Sequence, residues 1–139
     1  MKLTTKGRYA VMAMADLASY AKKKPISLTE ISLRQNISLP YLEQLFIKLK
    51  RRNLVKSVRG SSGGYTLIKP ASEIKLSNII FAVDETIKTL NCKKESKKGC
   101  NHKSMKCITH NLWDDLEQHI NSFFEKINLD DLVEKSKRL

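Results

Sequence analysis

Residues 27–67 of this 139-residue chain read SLTEISLRQNISLPYLEQLFIKLKRRNLVKSVRGSSGGYTL, and this stretch decides the fold. Its first four residues form a capping-box pattern, in which Ser27 and Glu30 predict the start of a short helix. A few residues later Ser38 is placed to cap a second helix, with Pro40 in the first turn, where the missing N–H of proline is harmless. Two helices this close together predict a helix-turn-helix.

The second of these helices has two contrasting faces. Apolar residues recur at i, i+3, i+4 and i+7 and predict a buried face, formed by Leu42, Leu45, Phe46 and Leu49. A recognition helix enters the major groove and reads base edges through a few polar side chains. Glutamine can pair with adenine, and glutamate can accept a hydrogen bond from cytosine N4. The residues that we expect to contact DNA from this helix are Tyr41, Glu43, Gln44 and Lys48.

Two short β-prone runs, 54–59 and 65–68, flank a glycine-rich turn and predict a hairpin after the two helices. A hairpin with a basic edge in this position is typical of a winged helix-turn-helix. We expect Arg59 at the turn to reach a minor groove or a phosphate. The turn glycines allow positive φ and a close approach to the DNA backbone, so the predicted contact set also includes Gly60, Gly63 and Gly64. The alternative interpretation is that these are ordinary exposed polar positions.

Two further helices are predicted within residues 1–85. The first spans about residues 5–22, with Thr5 as its N-cap and Lys22–Pro25 at its end. Its predicted buried stripe consists of Tyr9, Ala10, Ala13, Leu17 and Tyr20. Ser77 is placed to cap another short helix.

The charge is concentrated in the N-terminal part of the chain. The formal net charge is +12, of which residues 1–80 carry +11 and residues 81–139 carry +1. A basic surface of this kind favours a polyanionic partner, with nucleic acid first, although a solvated basic surface gives the same total. The chain has no apolar run of ~18 residues and no clear signal peptide, so we expect a cytoplasmic protein without a membrane partner.

All three cysteines lie in or beside a stretch that cannot bury itself, residues 88–106, which holds seven lysines. An odd number of cysteines in a reducing compartment favours metal or redox chemistry over a disulfide framework. Thiolates suit iron–sulfur clusters or zinc, and a histidine three residues after a cysteine can face the same direction. The predicted ligands are Cys92, Cys100, Cys107 and His110.

Several alternatives stay open for this set. His102 is a rival for the fourth ligand, whereas His119 fits a surface or interface position. A structural zinc in a Cys3His site and a thiol switch that forms disulfides both use the same cysteines. Unconnected thiols beside a helix-capping histidine are a further possibility.

The C-terminal part predicts a long amphipathic helix. Its apolar residues step by 4, 4, 3 and 4 residues along a near-heptad seam of Leu112, Leu116, Ile120, Phe123 and Ile127. A partner helix, and hence a homodimer, is the natural explanation, although packing against the first helix is an alternative. Asp130 and Asp131 fit the start of a further helix.

Together these patterns predict a mainly α protein with a small β-hairpin. Residues 1–85 would form a winged helix-turn-helix DNA-binding domain, 86–107 a cysteine-bearing cluster-binding loop, and 108–139 the dimerisation helix and a C-terminal tail. The sequence has neither a phosphate loop nor a Ser/His/Asp arrangement, so we expect no enzyme and no small-molecule substrate.

Four stretches of the chain resemble the IscR family of bacterial transcriptional regulators, which control iron–sulfur cluster assembly genes. These are MKLTTKGRYAV at 1–11, ISLPYLEQLF at 37–46, VRGSSGGY at 58–65 and CITHNLW at 107–113. The resemblance implies a homodimer that binds double-stranded DNA and carries a [2Fe–2S] cluster on Cys92, Cys100, Cys107 and His110. It also implies that Glu43 helps the cluster-free and cluster-bound forms choose different sites, and that Gln44 and Arg59 contact DNA.

The chain departs from this family at two places. The cysteine loop is a few residues longer than in the best-known members, and Pro40 replaces a serine that contacts DNA. Arg8 stands where a nitric-oxide-sensing sister branch has an acidic residue, which argues against that branch. Our hypothesis for the mechanism is that cluster occupancy reports iron–sulfur supply. With enough cluster the regulator represses the assembly genes, and without it repression lifts.

Overall fold

The computed structural model describes residues 5–83 and 108–137 of the chain. In these ranges helices predominate and two strands form one antiparallel hairpin, which confirms the predicted fold class. The helices are α1 (Thr5–Tyr20), α2 (Leu28–Gln35), α3 (Leu39–Arg51), α4 (Leu76–Ala82), α5 (His110–Lys126) and α6 (Leu129–Lys137). The strands are β1 (Val55–Val58) and β2 (Gly64–Leu67), and a short 3-10 turn covers Ala71–Glu73.

Helix α2 begins as the capping-box pattern predicts. The backbone N–H of Ser27 donates to Glu30 Oε2 at 2.9 Å, and the N–H of Glu30 donates to Ser27 Oγ at 3.2 Å. This hydrogen bond from the Ser27 backbone is the main reason that the pKa of Glu30 is lowered from its usual value. Two of the donors that a helix N-terminus leaves without intrahelical partners are therefore satisfied.

Helix α3 begins after Ser38, and Pro40 lies in its first turn as predicted. Ser38 occupies the N-cap position through its backbone, because its carbonyl accepts from the N–H of Leu42 at 3.1 Å. Within the described residues its side chain makes no capping hydrogen bond, so the predicted side-chain role is not observed. Leu42, Leu45, Phe46 and Leu49 form the buried face, as the periodicity predicts.

The predicted stripe of α1 is confirmed at Ala10, Ala13 and Leu17, which are buried. Tyr20 is predicted there but is 53% exposed. The reason is that Tyr20 ends the helix and its ring stacks under the guanidinium of Arg34, 4.1 Å from the ring centroid. Tyr9 is half-buried and packs against the core.

A buried ion pair fixes α1 against α2. Asp16 accepts two hydrogen bonds from Arg34, at 2.8 and 2.9 Å, and one from Gln35 Nε2 at 2.8 Å. The Asp16 side chain has no exposed surface, whereas that of Arg34 keeps 30% exposed. The hydrogen bonds to Asp16 are the largest of the causes that raise the pKa of Arg34. All three bonds are accepted by the Asp16 carboxylate, and hydrogen bonds to a charged group are stronger than those between neutral groups, so this network holds α1 against α2.

The C-terminal part returns to the N-terminal core. Helix α5 packs on α4 and α6 packs on α1. The backbone closes this return with two hydrogen bonds, from Leu76 N to Ile127 O at 3.0 Å and from Leu129 N to Ile74 O at 2.8 Å. Leu129 is fully buried in the same core as α1 and α3. The segment predicted to be a tail is therefore a helix whose apolar side completes this core, with Asp130 in its first turn as predicted.

The N-cap of helix α4 is Lys75, two residues before the predicted cap Ser77. The N–H of Lys75 donates to Asn78 Oδ1 at 3.1 Å, and the helix begins at Leu76, so Ser77 lies inside the first turn. In residues 5–83 and 108–137 no helix is both long and apolar enough to cross a membrane.

Candidate nucleic-acid interface and metal-ligand histidine

The outer face of α3 presents the side chains predicted to read bases. Glu43 and Gln44 are exposed, and Lys48 is half-exposed and engaged in an interaction. Tyr41 differs from them because its ring is half-buried and packs edge-on against Tyr9, with centroids 5.7 Å apart and planes at 89°. The ring of Tyr41 therefore helps to hold α3 against α1.

The hairpin is fixed to α3 from two sides. In the interior, the ring of Phe46 packs against Tyr65 of β2 with centroids 4.9 Å apart. At the surface, Lys50 Nζ of α3 donates to Ser57 Oγ of β1 at 2.9 Å. Because Lys50 and Ser57 are both exposed, the outer surface of α3 continues onto the outer edge of the hairpin.

The hairpin is also anchored to the segment before α2. Ile26 and Tyr65 exchange two backbone hydrogen bonds, at 3.0 and 2.7 Å, which add a bridge beside β2. Gly64 makes this approach possible, since a Cβ on it would lie 2.4 Å from the backbone C and O of Ile26, and its φ is +156°. A side chain at Gly63 would meet the Val58 carbonyl at 2.3 Å.

These close backbone contacts explain why positions 63 and 64 are glycines, which the sequence alone did not show. Gly60 differs from them, because nothing lies within 4 Å of its added Cβ and its φ is +115°. Gly60 and the neighbouring Arg59 lie exposed at the tip of the hairpin. The contacts of the three glycines with DNA stay predictions.

The charge around this surface is mostly positive. Besides Arg59, the exposed basic side chains on α3, at its end and on β1 are Lys50, Arg51, Arg52 and Lys56. Lysine and arginine that neutralise phosphates supply the salt-dependent part of DNA affinity. The arrangement therefore combines exposed polar side chains on α3, which are predicted to read bases, with cations that suit the flanking phosphates.

Of the predicted metal ligands, only His110 falls within the described residues. It is the first residue of α5 and is 8% exposed. Cys92, Cys100, Cys107 and the rival His102 lie outside the described residues, and the ranges 5–83 and 108–137 contain no cluster of three potential metal ligands. In sequence, residues 84–107 separate Val83, just past the end of α4, from the start of α5, where His110 lies. Helix α5 packs on α4. His119 is exposed on α5, as expected for a surface or interface position.

The predicted seam on α5 is largely uncovered in the single chain. Leu112 and Phe123 are each 58% exposed, Leu116 is exposed, and Ile120 is half-buried. Ile127 differs because it lies just past the end of α5, where it packs against the core of its own chain. The seam in the helix therefore comprises the first four of the five predicted residues.

Sequence reasoning missed one apolar side chain on the outer face of α3. Ile47 of α3 is 56% exposed. The signal was present in the spacing, because Ile47 follows Pro40 by seven residues and Gln44 by three, which places it on their side of the helix.

Comparison with known proteins gives a consistent result. The profile of the Rrf2 family, described as "Iron-dependent Transcriptional regulator", matches residues 3–135. The HTH-type transcriptional regulator IscR of Photorhabdus laumondii is 48% identical over the whole chain and 83% of its own length. The IscR of Serratia proteamaculans is 50% identical over 96% of this chain and 79% of its own length.

Solved structures of transcriptional regulators also resemble this chain in fold. The structure titled T. potens IscR is 34% identical and superposes with a TM-score of 0.78, over 98% of this chain and 88% of that one. CymR of B. subtilis, titled a global cysteine regulator, is 30% identical with a TM-score of 0.81, over 97% of this chain and 98% of that one. An oxidized form of Staphylococcus aureus CymR is 33% identical with a TM-score of 0.77, over 96% and 97% of the two chains.

Proposed function

The chain belongs to the Rrf2 family of iron-dependent transcriptional regulators, and from this premise we propose that it is a dimeric DNA-binding repressor controlled by a [2Fe–2S] cluster. It is a regulator of the IscR type rather than an enzyme. The genes that it controls would be those of iron–sulfur cluster assembly. The observation that carries the proposal is the outer face of α3, where exposed polar side chains continue onto a basic hairpin.

In this proposal α3 enters the major groove and the hairpin lies along the neighbouring backbone. Glu43 and Gln44 face the base edges, where a glutamine pairs well with adenine and a glutamate accepts from cytosine N4. Arg59 reaches a phosphate or the minor groove from the hairpin tip. The packing of Phe46 of α3 against Tyr65 of β2 supports a fixed spacing between the two contacts.

Dimerisation is proposed through α5. Leu112, Leu116 and Phe123 expose apolar surface along one seam, which a second copy of the same helix would cover. A symmetric pair of reading heads then meets two half-sites one helical turn apart, about 34 Å, or a multiple of that distance. The packing of α5 on α4 supports a direct link between the dimer helix and the reading head.

The cluster is proposed on Cys92, Cys100, Cys107 and His110. Three thiolates and one imidazole are a donor set suited to iron–sulfur chemistry, and His110 begins a helix that packs on α4. A bound cluster would supply a group whose presence depends on cellular iron–sulfur supply. Its ligands would tie residues 92–107 to the first turn of α5, and the packing of α5 on α4 would carry that constraint to the reading head.

Anaerobic purification with a visible spectrum and analysis of iron and acid-labile sulfide tests the cluster. The expected result is a coloured protein with iron and sulfide in equal amounts. Replacing Cys92, Cys100 and Cys107 with Ala should abolish the colour and leave a folded dimer. His110→Ala should change the spectrum while the matched variant His102→Ala does not. A colourless wild type that contains zinc would contradict the proposal and favour a structural Cys3His site.

A thiol switch is the second candidate function. It keeps the DNA-binding surface and uses the cysteines as redox-active thiols, and the oxidized CymR structure among the relatives favours its consideration. Free-thiol mass measured with and without air separates the two functions. Reversible loss of thiols in an iron-free protein, with a matching change in DNA binding, would support the switch.

A further inference from the structure

The most outward line of side chains on α3 contains an apolar residue between polar and charged ones. Pro40, Gln44, Ile47 and Arg51 follow one another at spacings of 4, 3 and 4 residues, which aligns them along one side of a helix. This line lies opposite the buried side formed by Leu42, Leu45, Phe46 and Leu49. All four residues of the line are exposed.

Within the described residues, no other element of the chain covers this line of side chains. Helix α3 packs against α1, α2, α4 and β1, and its contacts with them use the opposite side. Ile47 keeps 56% of its surface exposed and is not among the half-buried residues that pack on the core. A branched aliphatic side chain at this place is costly to hydrate, so it favours an apolar partner.

The partner is indicated by the neighbours of Ile47. One turn before it stand the base-reading residues Glu43 and Gln44, and one turn after it stand Lys50 and Arg51, whose charges suit phosphates. A side chain between these two groups lies over the floor of the major groove when α3 is docked there. The apolar group that the major groove offers is the C5-methyl of thymine.

We infer that Ile47 is a specificity-determining residue that packs against a thymine methyl group in each half-site of the operator. This inference rests on the proposed function, because it requires α3 to lie in the major groove. Ile47 would add an apolar contact to the polar contacts of Glu43 and Gln44. This contact would favour thymine, because hydrogen bonds alone do not recognise its methyl group.

Replacement of single thymines by deoxyuridine tests the inference, since the methyl group alone is removed. The probe is a duplex enriched by the wild-type protein from a pool of random sequences and then synthesised with uracil at one thymine at a time. Removal of one buried methyl group lowers affinity by about fourfold. We expect this decrease at one thymine position per half-site, and about the square of it when both half-sites are changed.

The Ile47→Ala protein should bind the thymine duplex about fourfold more weakly and should no longer distinguish thymine from uracil at that position. The control is Ile68→Ala, which removes a comparably exposed aliphatic group just past β2, at the end of the hairpin opposite to Arg59. It should keep the discrimination of the wild type.

Three results would overturn the inference. Equal binding to every uracil-substituted duplex by the wild type is one, and unchanged discrimination by Ile47→Ala is another. The third is a lower association state of the DNA-free Ile47→Ala protein in sedimentation, which would instead assign the side chain to an interface between copies of the chain. If the pool enriches no sequence at all, the proposed function itself fails and the inference falls with it.

Discussion

The carboxylate of Asp16 shows what a single buried charge does in this fold. It lies without exposed surface between α1 and α2 and is satisfied by three hydrogen bonds from Arg34 and Gln35. A buried charge is costly unless it is paired and hydrogen-bonded, so α1 and α2 must keep the relative position that preserves this network.

Removing Arg34 should therefore destabilise the protein more than removing Asp16. In Arg34→Ala the carboxylate stays buried without its cation, which costs on the order of 3 kcal/mol. In Asp16→Ala the 30% exposed guanidinium can turn to water, so the expected decrease in stability is smaller, about 2 kcal/mol. Urea unfolding midpoints measure both.

Glu134→Ala is the matched control for this pair. It breaks an ion pair of 3.4 Å with Lys137 in which both side chains are about half exposed. Its cost should stay below about 1 kcal/mol. An Arg34→Ala protein no less stable than this control would show that the buried network does not hold α1 against α2.

At the residue scale, Arg59 is also proposed to contribute to DNA binding. It is exposed at the tip of the hairpin, so Arg59→Ala should leave the unfolding free energy nearly unchanged. The same change should weaken DNA binding and lower the slope of log affinity against log salt by about 1 for each phosphate that is no longer neutralised. Titration of one duplex at several salt concentrations measures the slope, and an unchanged slope and affinity would remove Arg59 from the interface.

At the scale of the elements, structure that depends on local sequence patterns could be predicted. The amphipathic face of α3 and the capping box of α2 are local patterns, and both are observed. The burial of Asp16 could not be predicted from the sequence, because its hydrogen-bond partners lie 18 and 19 residues away and only the fold brings them together. The same holds for Gly64, whose need for a missing side chain comes from Ile26, far away in sequence.

Helix α6 gives a second case of this kind. Its sequence is short and charged, and nothing local marks it as part of the first domain. The structure buries Leu129 and Val133 in or beside the main core. The predicted ligands and DNA contacts rest on residue chemistry and resemblance, because Cys92, Cys100 and Cys107 lie outside the described residues.

The anchoring of the hairpin predicts unequal effects of two glycine substitutions. Gly64→Ala forces a Cβ to within 2.4 Å of the Ile26 backbone, so the bridge between Ile26 and Tyr65 must open. The expected destabilisation is about 2 kcal/mol or more. Gly60→Ala meets no atom within 4 Å and carries only the strain of its φ of +115°, about 1 kcal/mol.

Thermal or urea unfolding of the two variants compares these costs. Amide exchange at Tyr65 and Ile26 gives a local readout, since their N–H groups form the bridge. Equal stability of the Gly64→Ala and Gly60→Ala proteins, with a protected bridge in both, would contradict the assigned role of Gly64.

At the scale of the whole molecule, the exposed seam of α5 predicts a dimer. Leu116→Lys places a charge in the middle of the apolar seam, where a second α5 is proposed to pack, and should convert the dimer to a monomer. The monomer presents one reading head, so affinity for a two-half-site duplex should fall by about a hundredfold or more.

Sedimentation velocity measures the association state directly. Asn121→Lys is the control, because it adds the same charge to an exposed polar position of the same helix, outside the seam. Its sedimentation should match that of the wild type. A Leu116→Lys protein that still sediments as a dimer would place the interface elsewhere.

The central claim is that the cysteine-bearing segment controls DNA recognition by the surface of α3 and the hairpin. The most direct measurement is the affinity of cluster-loaded wild type and of the Cys92→Ala, Cys100→Ala, Cys107→Ala protein for duplexes enriched from one random pool, both without oxygen. We predict that the variant, folded and dimeric, prefers different duplexes or binds the same ones with an affinity changed about fivefold or more. Equal affinities for the same set of duplexes would contradict the claim.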